Sequence, residues 1–228
     1  MAKPKSKGKG IKSKGPVLVI CAHSDDQIIG PGGAMAKYAK EGYEVHTIIL
    51  SFGEGSHPYF RREIISKSRI KEAQRADKII GGKGVTFLGL KELQFEKDFD
   101  KRAIANNFKK IIRKIRPIKI FTHSSDDAFP DHRATFAIVL KLYKEMKLRA
   151  ELYTFEVWHL FNLKKRKNPK LVVDTSETFK LKKKAFNVFK SQKNIIFVNL
   201  LFFLTQIKDL LSGIKNNTKY AEIFYKVR

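Results

Sequence analysis

The stretch VLVICAHSDDQ, residues 17–27, decides the fold. Its first six residues are a continuous apolar run, the pattern of an inner strand of a parallel sheet covered on both faces, and the run stops abruptly at a polar cluster. The glycine-rich IIGPGGAMAKYAKEG that follows, residues 28–42, predicts a turn and a short helix stopping at Gly42, and VHTIILS at 45–51 a second strand. Further along, 61–80 reads as a partly exposed helix before Gly81-Gly82, VTFLGL (85–90) as a strand, 98–115 as a helix, IKIFTH (118–123) as a strand and RATFAIVLKLYKEM (133–146) as a helix. This alternation predicts an α/β fold. The last third is less regular: LYTFEVW (152–158) and KLVVDT (170–175) read as strands, 176–190 as helical, and the terminal KYAEIFYKVR is apolar enough to dock, with sheet order unresolved.

A chain of 228 residues suits one well-buried core better than two small ones, so we expect a flexible basic tail over 1–15 and a single domain over 16–228. A hydrophobic content of 43% excludes a mostly disordered chain. The formal charge is +25, and removing the six lysines of the tail leaves +19, so the body is basic too. That balance favours anionic contacts, nucleic acid among them. No nucleic-acid reader motif accompanies Lys3–Lys14 or the basic region 164–193, however, and a solvated charged face is the simpler reading. Cys21 is the only cysteine, which excludes an intrachain disulfide and suits a reducing, cytoplasmic setting. The start lacks the apolar core of a secretory signal. IIFVNLLFFL, residues 195–204, is interrupted by Asn199 and reads as too short to cross a bilayer, so no transmembrane segment is expected. With the aromatic terminus, 195–211 could instead cover a subunit interface of a homo-oligomer.

Chemistry begins where the first strand ends, because ligands of open α/β sheets bind outside the carboxyl ends of strands. His23 and Asp26, three residues apart in a tight turn, can converge on one ion with the mixed nitrogen and oxygen set that zinc accepts. A second polar cluster, THSSDDAFPDHR at 122–133, also follows a strand and offers His132 as third ligand. Asp25 is then free to accept the proton of a water attacking a metal-polarised carbonyl, which is amide or ester hydrolysis. Asp131 could orient His132 or a neighbouring imidazole. The plain alternatives are helix capping by Asp25, Asp26 or Asp131, and a surface pair of Arg69 with Glu72. Gly30, Gly32 and Gly33 lack the spacing of a dinucleotide fingerprint, so nicotinamide binding is rejected.

Taken together these patterns resemble the LmbE-like, or GlcNAc-phosphatidylinositol de-N-acetylase-like, family of zinc amidohydrolases. The similar stretches are Ala22-His23-Ser24-Asp25-Asp26-Gln27 with Gly30 and Gly32-Gly33, then Arg69-Ile70-Lys71-Glu72 with Ala76 and Gly81, Thr122-His123, Asp131-His132-Arg133, and Tyr220-Ala221-Glu222-Ile223-Phe224. The resemblance implies a Rossmann-like three-layer sandwich with a mostly parallel central sheet. It also implies zinc on His23, Asp26 and His132, Asp25 as general base, Arg69 near the substrate, and removal of acetyl from an N-acetylated amino sugar or sugar conjugate.

Three positions depart from the family pattern. Gln27 replaces a glutamate, keeping part of its hydrogen bonding near the substrate. Ser24 replaces a proline, which loosens the turn. Phe129 stands where many members have a histidine three residues before the metal-binding one, and phenyl cannot donate to an oxyanion. His123 is the substitute candidate; without one, roughly 2.7–4 kcal/mol of transition-state stabilisation is lost. His46 reads as an ordinary strand residue and His57 as an ordinary loop residue, although His57 could line the pocket; Trp158, next to His159 near a late strand end, suits a sugar contact and a core position equally. Phe129 and Gln27 motivate a rival from another class, an inactive scaffold binding an anionic polymer or a protein through its basic surface.

Overall fold

The computed structural model describes residues 13–56, 61–158, 168–193 and 195–227. The expected tail falls almost wholly outside these residues, as do His57, His159 and the first part of the basic region 164–193.

Along the chain come β1 (Pro16–Cys21), α1 (Asp26–Ile29), α2 (Gly32–Lys40), β2 (Glu44–Ile49), α3 (Arg62–Ile80), β3 (Val85–Phe87), α4 (Phe95–Phe99), α5 (Arg102–Ile115), β4 (Lys119–His123), α6 (Pro130–Glu145), β5 (Glu151–Phe155), β6 (Lys170–Asp174), α7 (Phe179–Phe186), α8 (Lys190–Lys193), α9 (Ile196–Lys215) and β7 (Ala221–Lys226). The strands form one sheet in the order β3-β2-β1-β4-β5-β7-β6. The first five of these are parallel neighbours, and β7 inserts antiparallel between β5 and β6, so the docking terminus is a strand.

The period of two in β1 explains the layers. Val17, Val19 and Cys21 face one core with α2, α3 and α7, while Leu18 and Ile20 face a second with Phe108 and Ile112 of α5 and Ile138 and Leu142 of α6. Every β1 side chain from Val17 to Cys21 is buried, as a strand covered on both faces requires. After β1 the chain winds to β2 and β3 on one side, then returns to β4 on the other. The junction of β1 and β4 is therefore the switch point where an open parallel sheet leaves a crevice.

Two expectations change. The helix expected over 98–115 is two, α4 and α5, broken at an extended Lys101, where the Asp98 carboxylate takes the Lys91 N–H and the Lys101 ammonium. The apolar stretch read as too short for a bilayer belongs to the 20-residue α9, by length and composition long and apolar enough to cross one, and only 33% of its apolar window is buried. Asn199 does not interrupt it, because its amide donates back to the Ile195 carbonyl within the helix. Residues 195–204 are thus part of a longer apolar helix than the sequence alone indicates.

Candidate active site

The polar turn after β1 and the loop after β4 meet at the switch point. Asp26 is the centre of the meeting. Its Oδ2 accepts the His23 N–H at 2.8 Å and lies 3.4 Å from His23 Nδ1, 3.3 Å from His132 Nε2 and 3.3 Å from His123 Nε2. Burial alone would raise its pKa, but the His132 and His123 imidazoles outweigh burial and hold it well below the usual carboxylate range. Burial likewise opposes charge on His132, yet Asp26 and Asp127 raise it to about 10.

These groups suit a cation. Ligand atoms of His23, Asp26 and His132 lie within 4.8 Å of one another. Neither buried ring nitrogen of His132 makes a well-shaped hydrogen bond, although Nδ1 is 3.0 Å from Asp127 Oδ1. An imidazole steered by one carboxylate and aimed at a second, with Nε2 unsatisfied, fits a metal ligand with its orienting partner. His123, Asp127 and His132 also cluster within that range. We favour the first group, because His23 and Asp26 border the pocket whereas His123 Nε2 already takes the Ala22 N–H at 3.1 Å.

Beside this cluster is a cavity of about 410 Å³, whose lining includes His23, Asp25, Asp26, Arg69, Glu92 and Trp158. Asp25 is buried, and this raises its carboxyl pKa despite the Arg69 guanidinium, whose Nη2 is 3.4 Å from Oδ1. Arg69 Nε donates to Ser24 Oγ at 2.8 Å. Close packing beside this guanidinium requires glycine at position 53: its φ is +72°, and a Cβ there would sit 2.4 Å from Arg69 Nε. Arg69 is thus buried against the turn rather than paired on the surface with Glu72, which instead binds Ser191.

The capping alternatives give way as well. Neither α1 nor α6 has a side-chain cap. Asp131 is occupied on both oxygens: Oδ1 accepts the Leu93 N–H at 2.9 Å and Oδ2 lies 3.3 Å from His23 Nε2. It therefore orients His23, and the residue against His132 is Asp127, which the sequence reading passed over. Asp127 also receives the Phe129 N–H at 3.0 Å. The adjacent pair Asp126-Asp127 in the second cluster was the available signal.

Two expected roles are corrected by placement. His123 is wholly buried, stacked on His132 with ring centroids 3.8 Å apart, and lies outside the pocket lining, so it is not positioned to donate to an oxyanion there. Burial depresses its pKa to about 4. Gln27 is buried too and also stands outside the lining; its amide donates to the Ser24 carbonyl at 3.0 Å, fixing the turn instead of touching substrate. Phe129 does line the pocket, edge-on to His23 with centroids 5.5 Å apart and stacked with Trp158 at 6.1 Å. Glu92, absent from the sequence reading, is 3.8 Å from His23 Nε2 and accepts the Gly55 N–H. His46 is a β2 residue, away from the pocket lining.

Residues 18–143, more than half of the chain, match the family model described as PIG-L, GlcNAc-PI de-N-acetylase. Among curated relatives, a 4-oxalmesaconate hydratase of Pseudomonas putida is 28% identical over 141 residues, 59% of this chain and 52% of that protein. A probable N-acetyl-alpha-D-glucosaminyl L-malate deacetylase 2 of Bacillus anthracis is 27% identical over 133 residues, 55% of this chain and 58% of that protein. The chain thus spans little more than half the length of the curated relatives it matches. The fold is that of N,N'-diacetylchitobiose deacetylase from Pyrococcus horikoshii, with TM-score 0.77 at 21% identity over 93% of this chain and 83% of that one. It is equally that of a 4-carboxy-2-hydroxymuconate hydratase from Pseudomonas putida, with TM-score 0.77 at 21% identity over 94% and 96%.

Proposed function

The chain belongs to the PIG-L family, described as GlcNAc-PI de-N-acetylase, and from this we propose that it is a zinc-dependent hydrolase removing the acetyl group from an N-acetylated amino sugar or its conjugate, of the N-acetylglucosamine type. The observation that carries the reading is the convergence of His23, Asp26 and His132 within 4.8 Å at the edge of a pocket that Asp25 also lines. Zinc held by those three would supply Lewis acidity toward the amide carbonyl and toward water.

The chain's own groups account for the protons. Arg69 holds Asp25 through Oδ1, leaving Oδ2 to take a proton from the attacking water. The C–N bond then breaks, the acetyl carbon keeps the water oxygen, and Asp25 returns the proton to the departing amine. Asp131 and Asp127 keep the His23 and His132 rings in place. Arg69 also lines the pocket, where it can donate to a sugar oxygen. The deacetylases among the relatives support this class of substrate. Buried, free Cys21 is compatible with the cytoplasmic setting we favour.

A second reading rests on the hydratase relatives and on Phe129. Arg62, Arg69 and Lys91 around the pocket could pair with carboxylates of an unsaturated acid to which water is added. The test is acetate release from a panel of N-acetylated sugars and conjugates, using metal-free protein before and after stoichiometric zinc. Zinc-restored release that Asp25→Asn abolishes supports the hydrolase. Zinc binding with no acetate from any sugar, together with hydration of an unsaturated carboxylic acid, overturns it.

A further inference from the structure

The two faces of α9 differ. One carries Val198 and Leu201 into the pocket wall and stacks Phe202 on Phe186 with centroids 3.7 Å apart. The other presents Ile196, Phe197, Leu200, Phe203, Leu211 and Ile214, exposed to between 49% and 81%. This stripe runs from the first to the last turn of a 20-residue helix, a length of about 30 Å. This part of the chain is rich in lysine, although Lys182 is buried and Lys208 is paired with Glu156. Residues 178–221 contain nine lysines and a single acid, Asp209, and that acid is buried against Lys182. Lys190 precedes the stripe, Lys215 and Lys219 end it, and all three are exposed.

We propose that α9 docks this protein on an anionic lipid bilayer, lying in the membrane surface with its apolar stripe among the headgroups and its terminal lysines against lipid phosphates. An apolar face bordered by lysines is the composition that binds such a surface, the stripe through buried area and the lysines through charge and snorkelling stems. The pocket then lies one helix away from the membrane, since the opposite face of α9 forms part of its wall. This docking does not rest on the reaction proposed for the site.

Two other occupants fit less well. Spanning would require α9 to leave the fold, but Asp209 ties it to Lys182 Nζ at 2.7 Å, and Lys182 in turn holds Glu222 at 2.7 Å. Glu222 accepts the Gly33 and Ala34 N–H groups at the start of α2, beside the metal-binding turn, so extracting α9 would strand charged groups in hydrocarbon and loosen the site. A second copy packed antiparallel on the stripe would set Lys190 of one chain against Lys215 and Lys219 of the other, like against like.

The test uses the full chain with vesicles of phosphatidylcholine, with and without phosphatidylglycerol, and sedimentation as readout. Binding should require phosphatidylglycerol, and the combined substitutions Phe197→Ser, Leu200→Ser and Phe203→Ser, checked for folding by circular dichroism, should weaken it at least about tenfold. Phe203→Trp gives a readout independent of that variant: its fluorescence should shift to the blue with anionic vesicles. The proposal is overturned by no sedimentation, or by undiminished binding of the folded triple variant, which would assign binding to the lysines of residues 1–15. A stripe-dependent dimer in light scattering without vesicle binding, or resistance to alkaline carbonate extraction, would overturn it in favour of a second copy or of spanning.

Discussion

Asp127→Asn isolates the carboxylate that steers His132. In the native chain Asp127 Oδ1 is 3.0 Å from His132 Nδ1 and accepts the Phe129 N–H, and burial is outweighed by His132 so that its pKa falls to about 2. A negative charge at this position fixes the ring so that Nε2 faces Asp26. Asparagine with its oxygen in the Oδ1 position keeps the acceptor that the Phe129 N–H and His132 Nδ1 share, but removes the charge that holds the ring's proton on that nitrogen. Groups in this supporting position typically contribute 10–100-fold to metal affinity, so zinc binding should weaken by about that factor, or about 1.4–2.8 kcal/mol. Calorimetric titration of metal-free protein with zinc, alongside a thermal melt, separates this from a folding defect: the affinity should fall while the melting temperature moves little. Asp127→Ala should do both, because the part-buried Phe129 N–H and the buried Val157 N–H lose their acceptor at a cost of about 1–3 kcal/mol. Zinc affinity within twofold of native in the Asn variant would refute the assignment of His132 as a ligand oriented by Asp127.

Phe129→His restores a donor beside His23 and should raise acetate release at least about tenfold in the zinc-loaded protein; an unchanged rate would place the oxyanion elsewhere. Burial raises Asp77 from the ordinary 3.8 to about 6, the Gly84 N–H offsetting only part of the effect, and Asp77 Oδ1 lacks a hydrogen-bond partner. The folded state therefore binds this proton more tightly than the unfolded state, and stability falls as pH rises from about 4 through 6. Asp77→Asn should be about 1–2 kcal/mol more stable at pH 7.5 in denaturant titrations, with the advantage gone below pH 4. Gly53→Ala should displace Arg69, so that acetate release drops by at least about tenfold; native activity would show that the guanidinium tolerates another position.

The sequence revealed what depended on pattern and hid what depended on direction. VLVICA was readable as an inner strand because a strand covered on both faces has no polar alternation to disguise it, and the polar turn after it had to lie at a strand end. His23, Asp26 and His132 could be grouped because two strand ends meet at one switch point. Which way each neighbouring side chain turns is set by the loops. His123, the last residue of β4, lies beneath the turn and receives the Ala22 N–H. Ser24, read as a loosened turn, instead holds Arg69. Asp127 and Asp131 exchange the roles that adjacency to His132 suggests, because α6 begins between them and carries Asp131 round to His23 and the Leu93 N–H. Glu92 reaches the site from the loop after β3, a contact made only once the sheet has brought the two segments together. The same reasoning explains α9. Its composition was visible, but how much of an apolar helix the core can cover is a property of the packed fold, and here the fold covers only one face.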